Sequence, residues 1–405
     1  MTTKIGIIRE GKVPPDQRVP LSPDQCLRVM EEYPNVELVV QSSPIRAFKD
    51  KEYSDLGVPI VDSVEDCDIV MGVKEVNIED LIPNKQFFFF SHTFKKQPYN
   101  RDLLQAVIDN KIKLTDYEVL TDKNGLRIIG FGRYAGIVGC YNGFRTYGLK
   151  HDLYDLKPAN KCDDRKEMES ELSKVKLPSN TKIVLTGFGR VGHGALEIIN
   201  LLPIKEVTPE EFKNEEFGEP VFTHLNFSDY LEREDGKEFD RDAFFESGQS
   251  HRSTFNQYLS ETDMYIACHY WESSSPYFFT REDLKKENLR LSVVADISCD
   301  IDGPVASTIR PSTIADPIYG YHPAQEKEVD FKDPDAIAVM AVDNLPCELP
   351  KDASKDFGNE LIKHVLPALF GEDPHKIIER GSQTTKEGEL SADFKYLEDY
   401  LAGKE

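Results

Sequence analysis

The chain has 405 residues, 39% of them hydrophobic, with 49 basic against 72 acidic side chains and a formal net charge of −23. That length is a prior of two to three domains and can bury a sizeable core. The acidic balance argues against nucleic acid or an anionic membrane as partner, while leaving room for anionic substrates wherever arginine and lysine gather in a cleft. No apolar run approaches the roughly 20 residues needed to span a bilayer. The opening MTTKIGIIRE lacks the layout of a signal peptide. Seven cysteines without a CxxC pair suggest neither a zinc site nor a disulfide framework, and they fit a reducing, cytoplasmic setting.

In chain order, KIGIIRE reads as a strand, followed by a proline-rich loop and a helix that Ser22 caps and Pro23 opens. VELVVQSS, Pro59-Ile60-Val61, CDIVMGV and QFFFFSH continue as strands, with a polar helix from Asp50 to Leu56 between the first two. Strands alternating with helices over the first ~130 residues predict a parallel sheet. Lys74 and His92 each follow one of these strands, and in an open parallel sheet the ligand crevice lies beyond the carboxyl ends. By spacing alone, a surface lysine and a hydrogen-bonded, non-catalytic histidine are the favoured readings, by roughly two to one for each residue.

Asp122-Lys123-Asn124-Gly125 then marks a turn, and glycines at 130, 132, 136, 139, 143 and 148 dot a helical stretch, as suits a helix lying tight against another element. Residues 156–180 are polar and predict surface. From Thr181 the apolar Ile183-Val184-Leu185 breaks into Gly187-Phe188-Gly189-Arg190-Val191-Gly192, after which apolar residues recur at helical spacing to Leu202. Strand, glycine turn and helix are the context for dinucleotide binding: Gly187 for the tight turn, Gly189 for pyrophosphate approach, Gly192 for close helix packing, with Arg190 and Val191 between them. A nicotinamide cofactor is expected, NAD or NADP. The acid that takes the ribose hydroxyls should end the second strand; Glu206 and Glu210 are the candidates, and neither stands at a clear strand end. Residues 206–260 read as an acidic surface excursion. TDMYIAC, LSVVADIS and VMAVDN resume the strands, ASKDFGNELIKHVLPALF is an amphipathic helix, and the tail from Gly381 is polar.

The stretches QRVPLSP, MGVKE, FFFFSHTFKKQ, LTDYE, FGRYAG, the glycine fingerprint, IACHYWE, VVADISCD and VDNLPCELPKDAS occur in one order from about residue 4 to about residue 370. In them the chain resembles the saccharopine dehydrogenases, and still more the lysine–2-oxoglutarate reductase half of the bifunctional enzyme of lysine breakdown, with the alanine dehydrogenases as distant relatives. The resemblance implies an α/β fold: two doubly wound Rossmann-like domains flanking a cleft. The substrate domain is discontinuous (1–137 and 347–405), and 138–346 forms the dinucleotide domain. It further implies that Lys74 and His92 are catalytic, that Arg18 and Arg127 hold substrate carboxylates, that Glu75 and Glu118 tune the catalytic pair, and that Asp343 lies beside the nicotinamide. The family's adjacent arginine pair is here Leu126-Arg127. The implied reaction interconverts saccharopine with lysine plus 2-oxoglutarate, with no metal required; direction and oligomeric state stay open. Rival readings are an alanine- or opine-type dehydrogenase and a non-catalytic nicotinamide-binding sensor.

Overall fold

The computed structural model describes residues 2–246, 248–287 and 289–404. The chain divides into two compact units, residues 1–131 with 350–405 and residues 132–349. The division falls at Gly132 because a single unbroken helix begins there, and the second unit holds all of it.

The first unit is built on a six-stranded, wholly parallel sheet. Its strands are β1 (Thr3–Ile7), β2 (Val36–Gln41), β3 (Ile60–Val61), β4 (Ile69–Met71), β5 (Gln86–Phe89) and β6 (Lys113–Asp116), in the order β3-β2-β1-β4-β5-β6. Helices α1 (Pro23–Glu32), α2 (Asp50–Ser54) and α3 (Arg101–Asp109) lie among the connections. The run of four phenylalanines shows why β5 is a strand. Successive side chains point to opposite faces, so Phe88 and Phe90 enter one core and Phe87 and Phe89 the other. Such a strand, buried on both faces, reads as continuous hydrophobicity. The first of these cores is completed from the far end of the sequence by Phe357, Leu361, Val365 and Leu366, which is why this unit is discontinuous.

The second unit begins with α4 (Gly132–Lys150), continues through α5 (Arg165–Glu171) and carries α6 (Arg190–Ile199). Its eight-stranded sheet contains β7 (Lys182–Thr186), β8 (Lys205–Glu206), β9 (Val221–Leu225), β12 (Met264–Ala267), β13 (Val293–Asp296), β14 (Ile318–His322), β15 (Lys327–Val329) and β16 (Ile337–Met340). The order is β15-β14-β16-β13-β12-β7-β9-β8, parallel except where β14 pairs with β15 and β16. A separate antiparallel ribbon joins β10 (Leu231–Arg233) to β11 (His251–Ser253). The glycines of α4 serve contact: a Cβ on Gly136 would sit 1.9 Å from the Val191 carbonyl oxygen, and one on Gly194 of α6 would sit 2.0 Å from that of Arg133. Two helix backbones therefore touch where any side chain would separate them.

The region from 206 to 260 differs from the acidic surface excursion expected. Residues 221–225 form β9, an interior strand paired with β7 along its whole length. Five residues, one of them a histidine, between acidic stretches carry too weak a pattern to be read as a strand. The second strand of the dinucleotide fold is thus β9, which ends at Leu225-Asn226. Glu206 lies exposed on the edge strand β8, and Glu210 is a helix residue paired with Lys213, so neither occupies the second-strand position.

Candidate functional site

In the first unit, the segments that follow β1, β4, β5 and β6 bring together Lys12, Lys74, Glu75, His92 and Glu118 beyond the carboxyl ends of the strands, beside the point where the strand order reverses about β1. His92 Nδ1 lies 2.6 Å from Glu75 Oε1, and its Nε2 lies 3.6 Å from Glu118 Oε2. Glu75 is 9% exposed and also pairs with the Lys12 ammonium. Burial works against its charge, but the hydrogen bonds from His92 and Lys12 hold the carboxyl down at about 2. Glu75 is therefore an anion at any working pH. It accepts a hydrogen bond from Nδ1–H, which leaves Nε2 turned toward Glu118. Glu118 Oε2 is buried and accepts no hydrogen bond, while Oε1 faces Lys95 at 3.0 Å and Arg127 at 3.6 Å. Arg127 donates from Nε to the Ile129 carbonyl and lies over the Phe90 ring.

Lys74 is half-buried, and its backbone is fixed by Glu10, whose two carboxylate oxygens accept the N–H groups of Val73 and Lys74 at 2.7 and 2.9 Å. Burial, then the neighbouring Asp16, push the Glu10 carboxyl up to about 7. Glu10 had no signal in the sequence beyond its place just past β1.

Arg18, expected to hold a substrate carboxylate, is 3% exposed and donates from Nε and Nη2 to the two oxygens of Asp16 at 3.0 and 2.6 Å. Its guanidinium also lies 4.2 Å over Phe131, which stacks on Phe357. Burial opposes the Asp16 charge, but Arg18, with help from the Lys74 ammonium, holds the carboxyl at about 2.

In the second unit the fingerprint forms the turn between β7 and α6. Gly187 has φ +95°, and a Cβ there would lie 2.1 Å from the Cys268 carbonyl oxygen; one on Gly192 would lie 1.8 Å from that of Gly187. Both positions need glycine. His224 of β9 donates from Nε2 to the Gly187 carbonyl at 2.8 Å and stacks on Phe188, which fixes the turn. Gly189 differs: a Cβ there meets nothing within 4 Å, and it is the N-cap of α6. An open cradle in front of a helix N-terminus suits a pyrophosphate. Arg190 and Val191 follow at the start of α6. A cavity of about 690 Å³ lies over this turn, lined among others by Arg190, Asn226, Ser228, Phe239, Arg241 and Tyr270, and by no carboxylate among the described residues. The last three of these come from the ribbon region and from beyond β12, which the sequence did not connect with the fingerprint. Asp343 is exposed just after β16, near Cys299 at the end of β13.

The two sheets, each with its strand order reversing about a central strand, define a doubly wound α/β protein of two units. The fold is that of a solved L-alanine dehydrogenase, with a TM-score of 0.65 at 16% identity over the full length of both chains. A transhydrogenase from Sinorhizobium meliloti shares it at 0.54 and 11%, covering 96% of this chain and 98% of that one. Residues 6–138 match the family model "Alanine dehydrogenase/PNT, N-terminal domain". Among curated proteins, the chain is 30% identical over 400 residues to an alpha-aminoadipic semialdehyde synthase of Arabidopsis thaliana, covering 88% of this chain and 37% of that protein. It is 27% identical to the mitochondrial synthase of Bos taurus, covering 96% and 47%. It is 26% identical to a saccharopine dehydrogenase [NAD(+), L-lysine-forming] of Yarrowia lipolytica, covering 89% and 90%. The chain spans less than half the length of the two synthases. Residues 6–138 are thus similar to the N-terminal domain of the alanine dehydrogenase/PNT type, and a saccharopine dehydrogenase, as the motifs indicated, is among the proteins the chain resembles. No helix among the described residues is long and apolar enough to cross a membrane.

Arg18→Ala leaves the Asp16 carboxylate buried without its partner, a change that costs about 3–5 kcal/mol. Asp16 titrates at about 2 in the fold against 3.8 for a free carboxyl, so its stabilising contribution is present above pH 4 and lost as the pH falls through 2. Urea unfolding should show a large loss for the variant at pH 7, shrinking toward pH 2. An equal midpoint at pH 7 contradicts the assignment.

Proposed function

We propose that the chain is a nicotinamide-dependent oxidoreductase of lysine metabolism, interconverting saccharopine with lysine plus 2-oxoglutarate. The observation that carries this reading is the Glu75–His92–Glu118 chain beside Lys74, at the strand ends of a unit whose sequence matches the alanine dehydrogenase type. In an otherwise acidic protein, Lys12, Lys74, Lys95 and Arg127 gather there, as a substrate with several carboxylates needs. With the Arg18 fork committed to Asp16, we assign substrate carboxylates to Arg127, at the exposed side of the group, with Lys95 beside it.

When the amine of lysine attacks the keto carbon, His92 Nε2 takes the proton the nitrogen loses. His92 returns it to the former keto oxygen, giving a hydroxyl, and carries a second proton from the nitrogen to that hydroxyl, so that the C–O bond breaks, water leaves and an imine remains. Lys74 shares the second of these transfers, and Glu118 stabilises the imidazolium while it lasts. Glu75 keeps the imidazole in the tautomer this requires. The nicotinamide, when bound, supplies or takes up the hydride. Gly187, Gly189, Gly192 and the α6 N-terminus would hold its pyrophosphate.

We further propose NADP(H) as the preferred form. An acid at the end of β9 would bind the ribose hydroxyls and repel a 2′-phosphate. Here that position is Asn226, and Ser228, Arg190 and Arg241 line the same cavity. Arg241→Ala should weaken NADPH binding by about tenfold or more while leaving NADH binding nearly unchanged, since hydrogen bonds to charged groups contribute about 1.5–3 kcal/mol. Equal losses for both would remove the 2′-phosphate from this site. Gly189→Val should abolish binding of either nucleotide with no change in thermal unfolding.

The activity itself is read at the reduced-nicotinamide absorbance band. Lysine plus 2-oxoglutarate should consume NAD(P)H, and His92→Ala should slow this by about 10²-fold or more. Turnover of pyruvate plus ammonia, with none of lysine plus 2-oxoglutarate, would make this an alanine-type enzyme instead.

A further inference from the structure

His92 has a left-handed backbone, with φ +55°, a conformation that a side-chain-bearing residue keeps only when its surroundings enforce it. The enforcement lies in a buried polar network beneath it. The Ser91 N–H and hydroxyl both donate to Asp116 Oδ2, at 2.9 and 2.5 Å. On the other side of the histidine, the Thr93 hydroxyl lies 2.6 Å from Gln383 Oε1 and donates to it. Gln383 Nε2 closes the ring by donating to Ser91 Oγ and to Asp116 Oδ2, both at 3.1 Å. The second Asp116 oxygen, Oδ1, accepts the Glu118 N–H at 2.8 Å. Ser91, Thr93, Asp116 and Gln383 are each 0% exposed.

One carboxylate thus fixes both the backbone before His92 and the backbone of the glutamate that faces its Nε2. One glutamine, from a segment near the end of the chain, holds the side chain of the residue after it. That segment is itself pinned to β6: Gln383 donates its N–H to Leu114 O at 2.7 Å, and Leu114 donates to Thr384 Oγ1 at 2.8 Å. A polar cluster this deep has no solvent contact, and it meets the site through the residues flanking His92 and through the backbone of Glu118.

We infer that Asp116 and Gln383 are positioning residues for His92, and that the C-terminal segment is in this way part of the proton-transfer machinery. The inference rests on the reading of His92 as the acid–base group, and the test separates the two.

The measurement is a double-mutant cycle in the full-length protein, using whichever substrate pair the wild type turns over. The variants are His92→Ala, Gln383→Leu and the pair together, with Asp116→Asn as the stronger lesion. Gln383→Leu keeps the volume and removes the bonds. It should lower kcat about tenfold or more, leave the nicotinamide Kd unchanged, and retain cooperative thermal unfolding. In the His92→Ala background the same change should have no further effect on kcat, because there is no imidazole left to aim. An equal fall in both backgrounds means a general structural role and overturns the inference. So does an unchanged kcat in Gln383→Leu when His92→Ala is slow. If His92→Ala is itself as fast as wild type, the acid–base reading fails, and the positioning inference with it. Should Asp116→Asn fail to fold, Gln383→Leu decides the matter alone.

Discussion

The hydrogen bond between His92 Nδ1 and Glu75 Oε1, 2.6 Å long, is the constraint on which the chemistry of the first unit depends. An imidazole has two nitrogens, and only an asymmetric environment makes them differ. Glu75 supplies the asymmetry because Lys12 and His92 keep it charged against the burial that would otherwise protonate it. Every other feature near the site can be understood as support for that bond. The all-parallel sheet delivers Glu75 and His92 from neighbouring strands, β4 and β5, whose ends lie side by side. Glu10 holds the backbone of Lys74 at the residue just before Glu75.

Backbone conformation plays the corresponding part in the second unit. Two of the three fingerprint glycines are demanded by the protein itself, through the left-handed turn at Gly187 and the contact of Gly192 with it. The third, Gly189, has empty space in front of it. A position that needs no glycine for its own packing is the one at which a ligand would need it.

The sequence was legible where one residue or one short run carries a whole constraint. The fingerprint is such a case, since each glycine has its own steric reason, and so is the placing of Lys74 and His92 beyond strand ends, since each follows an apolar run long enough to be a strand. Legibility failed where partners are distant or atypical. The Arg18–Asp16 pair is one case, since nothing in the proline-rich loop signals that Asp16 folds back to pair with Arg18 in the interior. β9 is not visible in the sequence because five residues with a histidine among acidic neighbours show no clear period, and without it nothing connects Asn226, Ser228 and Arg241 to the fingerprint. The link from Thr93 to Gln383 spans 290 residues and leaves no local trace at either end.

The account stands on the state of one proton. Nitrogen-15 NMR of the protein labelled at histidine, recorded at pH 8, reports directly which ring nitrogen of His92 carries it, with His92→Ala giving the assignment. The account predicts hydrogen on Nδ1 and an unprotonated, pyridine-like Nε2. Hydrogen on Nε2, or an equal mixture of the two tautomers, would contradict it, because Glu75 would then not be setting the direction in which His92 can act.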